Sequence, residues 1–135
     1  MQREWIVKGV LVLVGLLNLL PAVVAFDPAR SLGLYGIALD DAALGIAMRH
    51  RALLLGTAGL GLIVAAWRTG WRGPALALAL CSKIGFLALY GLYQMPAGPL
   101  QRVALADAVA LVLLVVVLLL RCRDAAGPVR RIGGT

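Results

Sequence analysis

Four long apolar runs, separated by short polar segments, constrain this chain more than any other feature. They fall at about 6–26, 42–67, 74–93 and 103–121. A helix rises about 1.5 Å per residue, so some ~20 residues cross a ~30 Å hydrocarbon core. The runs are continuous, whereas barrel strands alternate within segments of about ten residues. In lipid the backbone must satisfy its own hydrogen bonds, and a helix does so within one segment. The fold expected is therefore all-α: a four-transmembrane-helix bundle over 1–121, followed by a basic tail, 122–135, without fixed structure. Composition agrees. The chain is 62% hydrophobic and 14% charged, where a soluble domain carries about a quarter charged residues.

Two runs need argument. The first has Arg3 and Lys8 ahead of it and "VVA" before Phe26, a pattern shared with cleaved leaders. It is long for a leader core and more apolar runs follow, so an uncleaved helix is expected. The second is clean only over Ala52–Ala66, too short to span alone. Starting it near Asp41 gives a full crossing, with Asp40 or Asp41 as the N-cap. Arg49, His50 and Arg51 then lie inside the helix. Between these runs, "FDPARSLGLYGIALDD" reads as a loop with room for a short interfacial helix, and "QMPAGPLQR" reads as a turn.

The net charge of +7 is first a topology signal. With the N-terminus inside, Arg3, Lys8, Arg68, Arg72, Arg121, Arg123, Arg130 and Arg131 share one side. Arg30 and Arg102 lie on the other, with Arg49 and Arg51 if they are counted as outer. This bias places both termini in the cytoplasm and the chain in the cell inner membrane as a multi-pass protein. Trp5, Trp67 and Trp71 fall at the inner boundaries, as an interfacial belt would. The partner implied is the lipid bilayer, and no nucleic acid.

Polar residues inside spans carry the information. Depths follow from the helical rise. Arg49, His50 and Arg51 lie roughly 10–15 Å in from the outer side, and Asp107 about 7 Å. Lys83 lies about 13 Å from the inner end of its helix, and Asn18 about 18 Å from the inner end of the first. Asn18, Arg49, His50, Arg51, Lys83 and Asp107 can thus form one cluster at the midplane or in the outer half. Asp107 is the one acid well inside a span, so it needs a partner. Arg49, Arg51 and Lys83 are the candidates. Successive residues step about 100° around a helix, so Arg49, His50 and Arg51 cannot all reach one neighbour, and one should snorkel outward. Asn18 shares a face with Gly15, Ala22 and Ala25; Gly45, Ala52, Gly56 and Gly59 line a face of the second helix. Such small faces pack closely, and self-association as a homo-oligomer through them is expected.

Other chemistries find no support in the sequence. There is no phosphate-binding Gly-rich loop, no GxSxG and no HExxH. One His and no suitable spacing argue against a metal site, and no cofactor is implied. Cys81 and Cys122 form no CxxC pair and read as small apolar residues. The small multidrug transporters match in size only, since they use a Glu in the first span where Asn18 is the sole comparable residue.

Four short motifs resemble a group of small, uncharacterised bacterial four-helix integral membrane proteins. They are Asn18 with Pro21, Tyr35-Gly36 with Asp40-Asp41, Arg49-His50-Arg51-Ala52, and Arg102 with Ala106-Asp107. The resemblance covers nearly the whole chain up to Arg121. It implies a four-span fold and brings no established function. Some members are labelled phosphopantetheine adenylyltransferase. That chemistry needs an α/β nucleotide site with phosphate-binding residues, which this sequence lacks.

The functional expectation is a non-enzymatic membrane protein whose polar cluster supports small-solute or proton movement, or partner assembly. The alternative is a membrane-embedded enzyme or accessory factor using His50 as an acid/base.

Overall fold

The computed structural model describes residues 2–94 and 97–125. Over these the chain forms α1 (Gln2–Ala22), α2 (Arg30–Tyr35), α3 (Ala42–Trp67), α4 (Arg72–Leu92) and α5 (Pro99–Ala125). Single 3₁₀ turns, Val23–Ala25 and Thr69–Trp71, follow α1 and α3. Among the described residues there is no strand. The long helices α1, α3, α4 and α5 are each long and apolar enough to cross a membrane. Their outward faces carry Leu13, Leu16, Leu20, Leu60, Val112 and Leu119, all exposed. An apolar surface of that extent is a liability in water and ordinary in lipid.

Helix boundaries differ from the sequence reading in ways the local chemistry explains. α1 starts at Gln2 rather than near 6, because Gln2, Arg3 and Glu4 are good helix formers. It ends at Ala22. Pro21 has no N–H for the carbonyl of Leu17, and the chain tightens into the 3₁₀ turn instead of continuing to 26. Asp41 caps α3, its carboxylate accepting from the N–H of Leu44 at 2.7 Å. α4 begins two residues before Pro74, which sits in its first turn. α5 begins at Pro99, so half of the expected "QMPAGPLQR" turn is helix. It runs to Ala125, which makes the first four tail residues helical. The remainder of the tail lies outside the described residues.

The four long helices pack in a ring: α1 on α3, α3 on α4, α4 on α5, and α5 back on α1. That leaves α1 and α4 facing across one diagonal. One end of the bundle holds the start of α1, the α3–α4 turn and the end of α5; it is called the terminal end here. The other, the loop end, holds α2 and the α4–α5 connection. The α1–α3 contact is the most extensive, and it is built on small residues. A Cβ on Gly15 would meet Ile63 at 2.6 Å and the Gly59 carbonyl at 2.8 Å; one on Gly56 would meet Ala22 at 2.9 Å. Apolar helices in lipid gain little from burying apolar area alone, so close backbone approach does the work. Gly15, Gly56 and Gly59 are thus occupied within the chain.

The core divides into two clusters. The larger fills the terminal half with Val7, Leu11, Val14, Leu62, Leu76 and Leu114, among others, closed to solvent. The smaller, Val24, Ala25, Tyr35 and Ala52, lies under α2 at the loop end. α2 stops at Gly36, whose φ of 72° and N–H to the Leu32 carbonyl make the left-handed cap that a glycine permits. Tyr35, the last residue before that cap, is buried.

Candidate functional site

Between the two apolar clusters three polar side chains from three helices meet. Lys83 of α4 donates to Asn18 Oδ1 of α1 at 2.9 Å and to Asp107 Oδ1 of α5 at 2.5 Å. Lys83 and Asn18 are buried, while the Asp107 side chain keeps 19% of its exposure. The level is set by helix length. Lys83 lies about 16 Å along α4 and Asp107 about 12 Å along α5, which from opposite ends brings both near the middle of the bundle. Asp107 stands further from the start of its helix than the apolar run alone implied, because α5 starts four residues earlier. The cluster answers the need for a partner at Asp107: the charge is paired and hydrogen-bonded.

Of the other expected members, Arg49 and His50 lie away from the triad, while Arg51 shares a cleft wall with Asn18 and Asp107. Arg49 donates its Nε to the Ala25 carbonyl at 2.9 Å, at the end of the 3₁₀ turn that Pro21 forces. His50 is exposed and lines a shallow groove with Ala25, Phe26, Ile46, Arg49 and Leu53, away from the triad. Arg51 turns inward. Its guanidinium carbon lies 5.0 Å from the Tyr35 ring centre and 5.4 Å from that of Phe86. The three neighbours thus take three directions, as the 100° step requires. Burial raises the Tyr35 phenol above its ordinary 10.0, Arg51 opposing and Asp107 adding to the shift.

A cleft of about 270 Å³ opens beside the triad. α1, α2, α3 and α5 all contribute to its wall. Its polar lining is Asn18, Tyr35, Arg51, Arg102 and Asp107; the rest is mostly apolar, including Leu17, Leu20, Pro21, Leu34, Leu55 and Val103. Asn18 and Asp107 therefore belong both to the triad and to the cleft. Toward the terminal end the packed core closes it off. Among the described residues no three or more His, Cys, Asp or Glu side chains gather as metal ligands.

A second polar junction lies at the terminal end; of its two side chains, Arg72 is read from the sequence as a topology charge only and Glu4 is passed over. Arg72 donates to both carboxylate oxygens of Glu4, at 3.0 and 2.5 Å, and to the carbonyls of Ala65 and Ala66, each at 3.1 Å. Those carbonyls belong to the last turn of α3 and have no helical donor. One arginine therefore caps α3 and ties α4 to α1. The available signal was Glu4 itself, an acid placed among cations at the start of an apolar run.

Set against family models, curated proteins and solved structures, the chain matches none of them, so its function is read from the triad and the cleft alone.

Proposed function

We propose that this chain is a non-enzymatic multi-pass protein of the bacterial inner membrane, with both termini in the cytoplasm, that binds a small solute in the cleft from the outer side. One observation carries the reading: Asp107 is at once the acid of the buried triad and part of the cleft wall. A purely architectural ion pair is best sealed in the core, where no solvent competes. This one borders the cleft, so its charge bears on whatever solute is bound there. The Lys and Arg bias supports the orientation, and the four motifs support kinship with the small four-helix membrane proteins. The closed terminal half favours binding at a blind site over passage through a standing pore. Any movement across the membrane would need the bundle to rearrange. The acid/base reading of His50 gains less support, since its groove brings it no carboxylate or further titratable group other than Arg49.

Ala106→Cys, with Cys81 and Cys122 replaced by Ser, tests the placement by labelling with a membrane-impermeant maleimide. Reaction in cells whose inner membrane is intact is the expected result. Reaction only after that membrane is opened reverses the orientation. No reaction even in detergent removes the open cleft.

A further inference from the structure

The charges of the cleft do not balance, and this points to a ligand class. Lys83 neutralises Asp107 from behind. Arg51 and Arg102 remain on the wall, and among the described residues neither is paired with an acid. Cations in an apolar setting need a counter-charge. For Arg51 the rings of Tyr35 and Phe86 engage the guanidinium. Ring contact uses the face of the group, whereas a carboxylate takes the N–H donors in its plane. The rings therefore hold Arg51 in place for an anion without consuming all of its donors.

The rest of the wall limits what that anion is attached to. Leu17, Leu20, Leu55 and Val103 suit a hydrocarbon chain. Leu20 and Ala106 are exposed on the outward surface of α1 and α5, so the cleft is open sideways between these two helices. A volume of about 270 Å³ falls just below the usual ligand sites, which run from about 300 Å³. It suits one head group with part of one chain. Asp107 on the same wall disfavours a doubly charged head.

On the reading of the cleft as a solute site, we propose that its ligand is a long-chain carboxylate, the carboxylate on Arg51 and Arg102 and the chain along the α1–α5 wall, entering sideways from the outer leaflet. The full-length protein in neutral detergent is titrated with dodecanoate, and the melting temperature is followed. Dodecanoate raises it saturably. Dodecanol, which lacks the charge, and acetate, which lacks the chain, do not. Arg51→Gln and Arg102→Gln each weaken the effect about tenfold or more, as loss of a charge-assisted hydrogen bond should. Arg51→Lys retains part of it, and Arg121→Gln, at the terminal end, retains all of it.

Equal stabilisation by dodecanol overturns the anion site, and equal stabilisation by acetate overturns the chain subsite. Equal stabilisation by dodecyl phosphate overturns the selectivity for a carboxylate. If none of these binds while Ala106→Cys still labels from outside, the ligand class is wrong and the cleft reading stands. If the cysteine fails to label in detergent as well, both fall.

Discussion

A Cβ on Gly59 would stand 2.6 Å from the carbonyl oxygen of Gly15. The obstacle is backbone, so no side-chain rotation relieves it, and α1 and α3 would have to separate. Gly59→Ala is expected to destabilise the bundle by about 1–3 kcal/mol, the range for overpacking. Gly61→Ala, whose added Cβ meets nothing within 4 Å, should be close to neutral. Thermal unfolding in detergent by circular dichroism compares the two. Equal effects would mean that α1 and α3 are not in this register.

The triad makes a charge-reversal prediction. Lys83→Asp alone and Asp107→Lys alone each set two like charges against one another in the middle of the bundle, at a cost of at least that of a broken buried pair, about 3–5 kcal/mol. The double exchange restores opposite charges, and Asn18 can turn its amide to donate instead of accept. Folded yield and thermal stability should recover in the double variant. If it is as damaged as the worse single change, the pairing of Lys83 with Asp107 is wrong.

Arg72 uses its planar fork for the Glu4 carboxylate and two carbonyls of α3 at once. Lysine carries the charge but not the fork. Arg72→Lys should therefore lower thermal stability, with about 1–3 kcal/mol for each group left without a donor. Glu4→Gln retains a hydrogen-bonding oxygen at a half-exposed site and should cost less. The reverse ranking would show that the pair matters here and the cap does not.

Tyr35 gives a pH prediction. Burial holds its phenol protonated above the ordinary 10.0, whereas the unfolded chain ionises it at that value. A folded-state value above the unfolded one means that the stabilisation is intact below about pH 10 and is lost as pH rises through the folded value. Stability measured across this alkaline range should fall more steeply for the native chain than for Tyr35→Phe. Identical slopes would place Tyr35 in contact with water.

The four long apolar helices were legible because the length of an apolar run shows directly whether a helix could cross a bilayer. The cap at Asp41 was legible because capping is local chemistry. That Asn18, Lys83 and Asp107 could share one level was legible too, since rise per residue is fixed, although the start of α5, and with it the position of Asp107 along the helix, was not. What the sequence could not supply was direction around each helix axis. Arg49, Arg51 and Lys83 were equal candidates for Asp107 by depth. Pro21 decides one of them: it leads to the 3₁₀ turn whose final carbonyl, on Ala25, takes Arg49. Packing decides another, since Tyr35 under α2 and Phe86 on α4 engage Arg51. Both events depend on tertiary neighbours. The junction of Glu4 with Arg72 joins residues 68 positions apart, a pairing that no local pattern encodes.

A four-sided frame shears unless a diagonal is braced. α1 and α4 lie across one diagonal and carry two braces, Glu4 to Arg72 at one level and Asn18 to Lys83 at another. They stand about 21 Å apart along α1, from the helical rise. Two fixed points on each helix stop it from sliding or tipping against the other. The opposite diagonal, α3 to α5, has no such strut among the described residues. Among the described residues α5 joins this frame through one polar strut, at Asp107, and otherwise through apolar packing, so the wall of the cleft that α5 supplies hangs on a single directional contact where α1 and α4 have two.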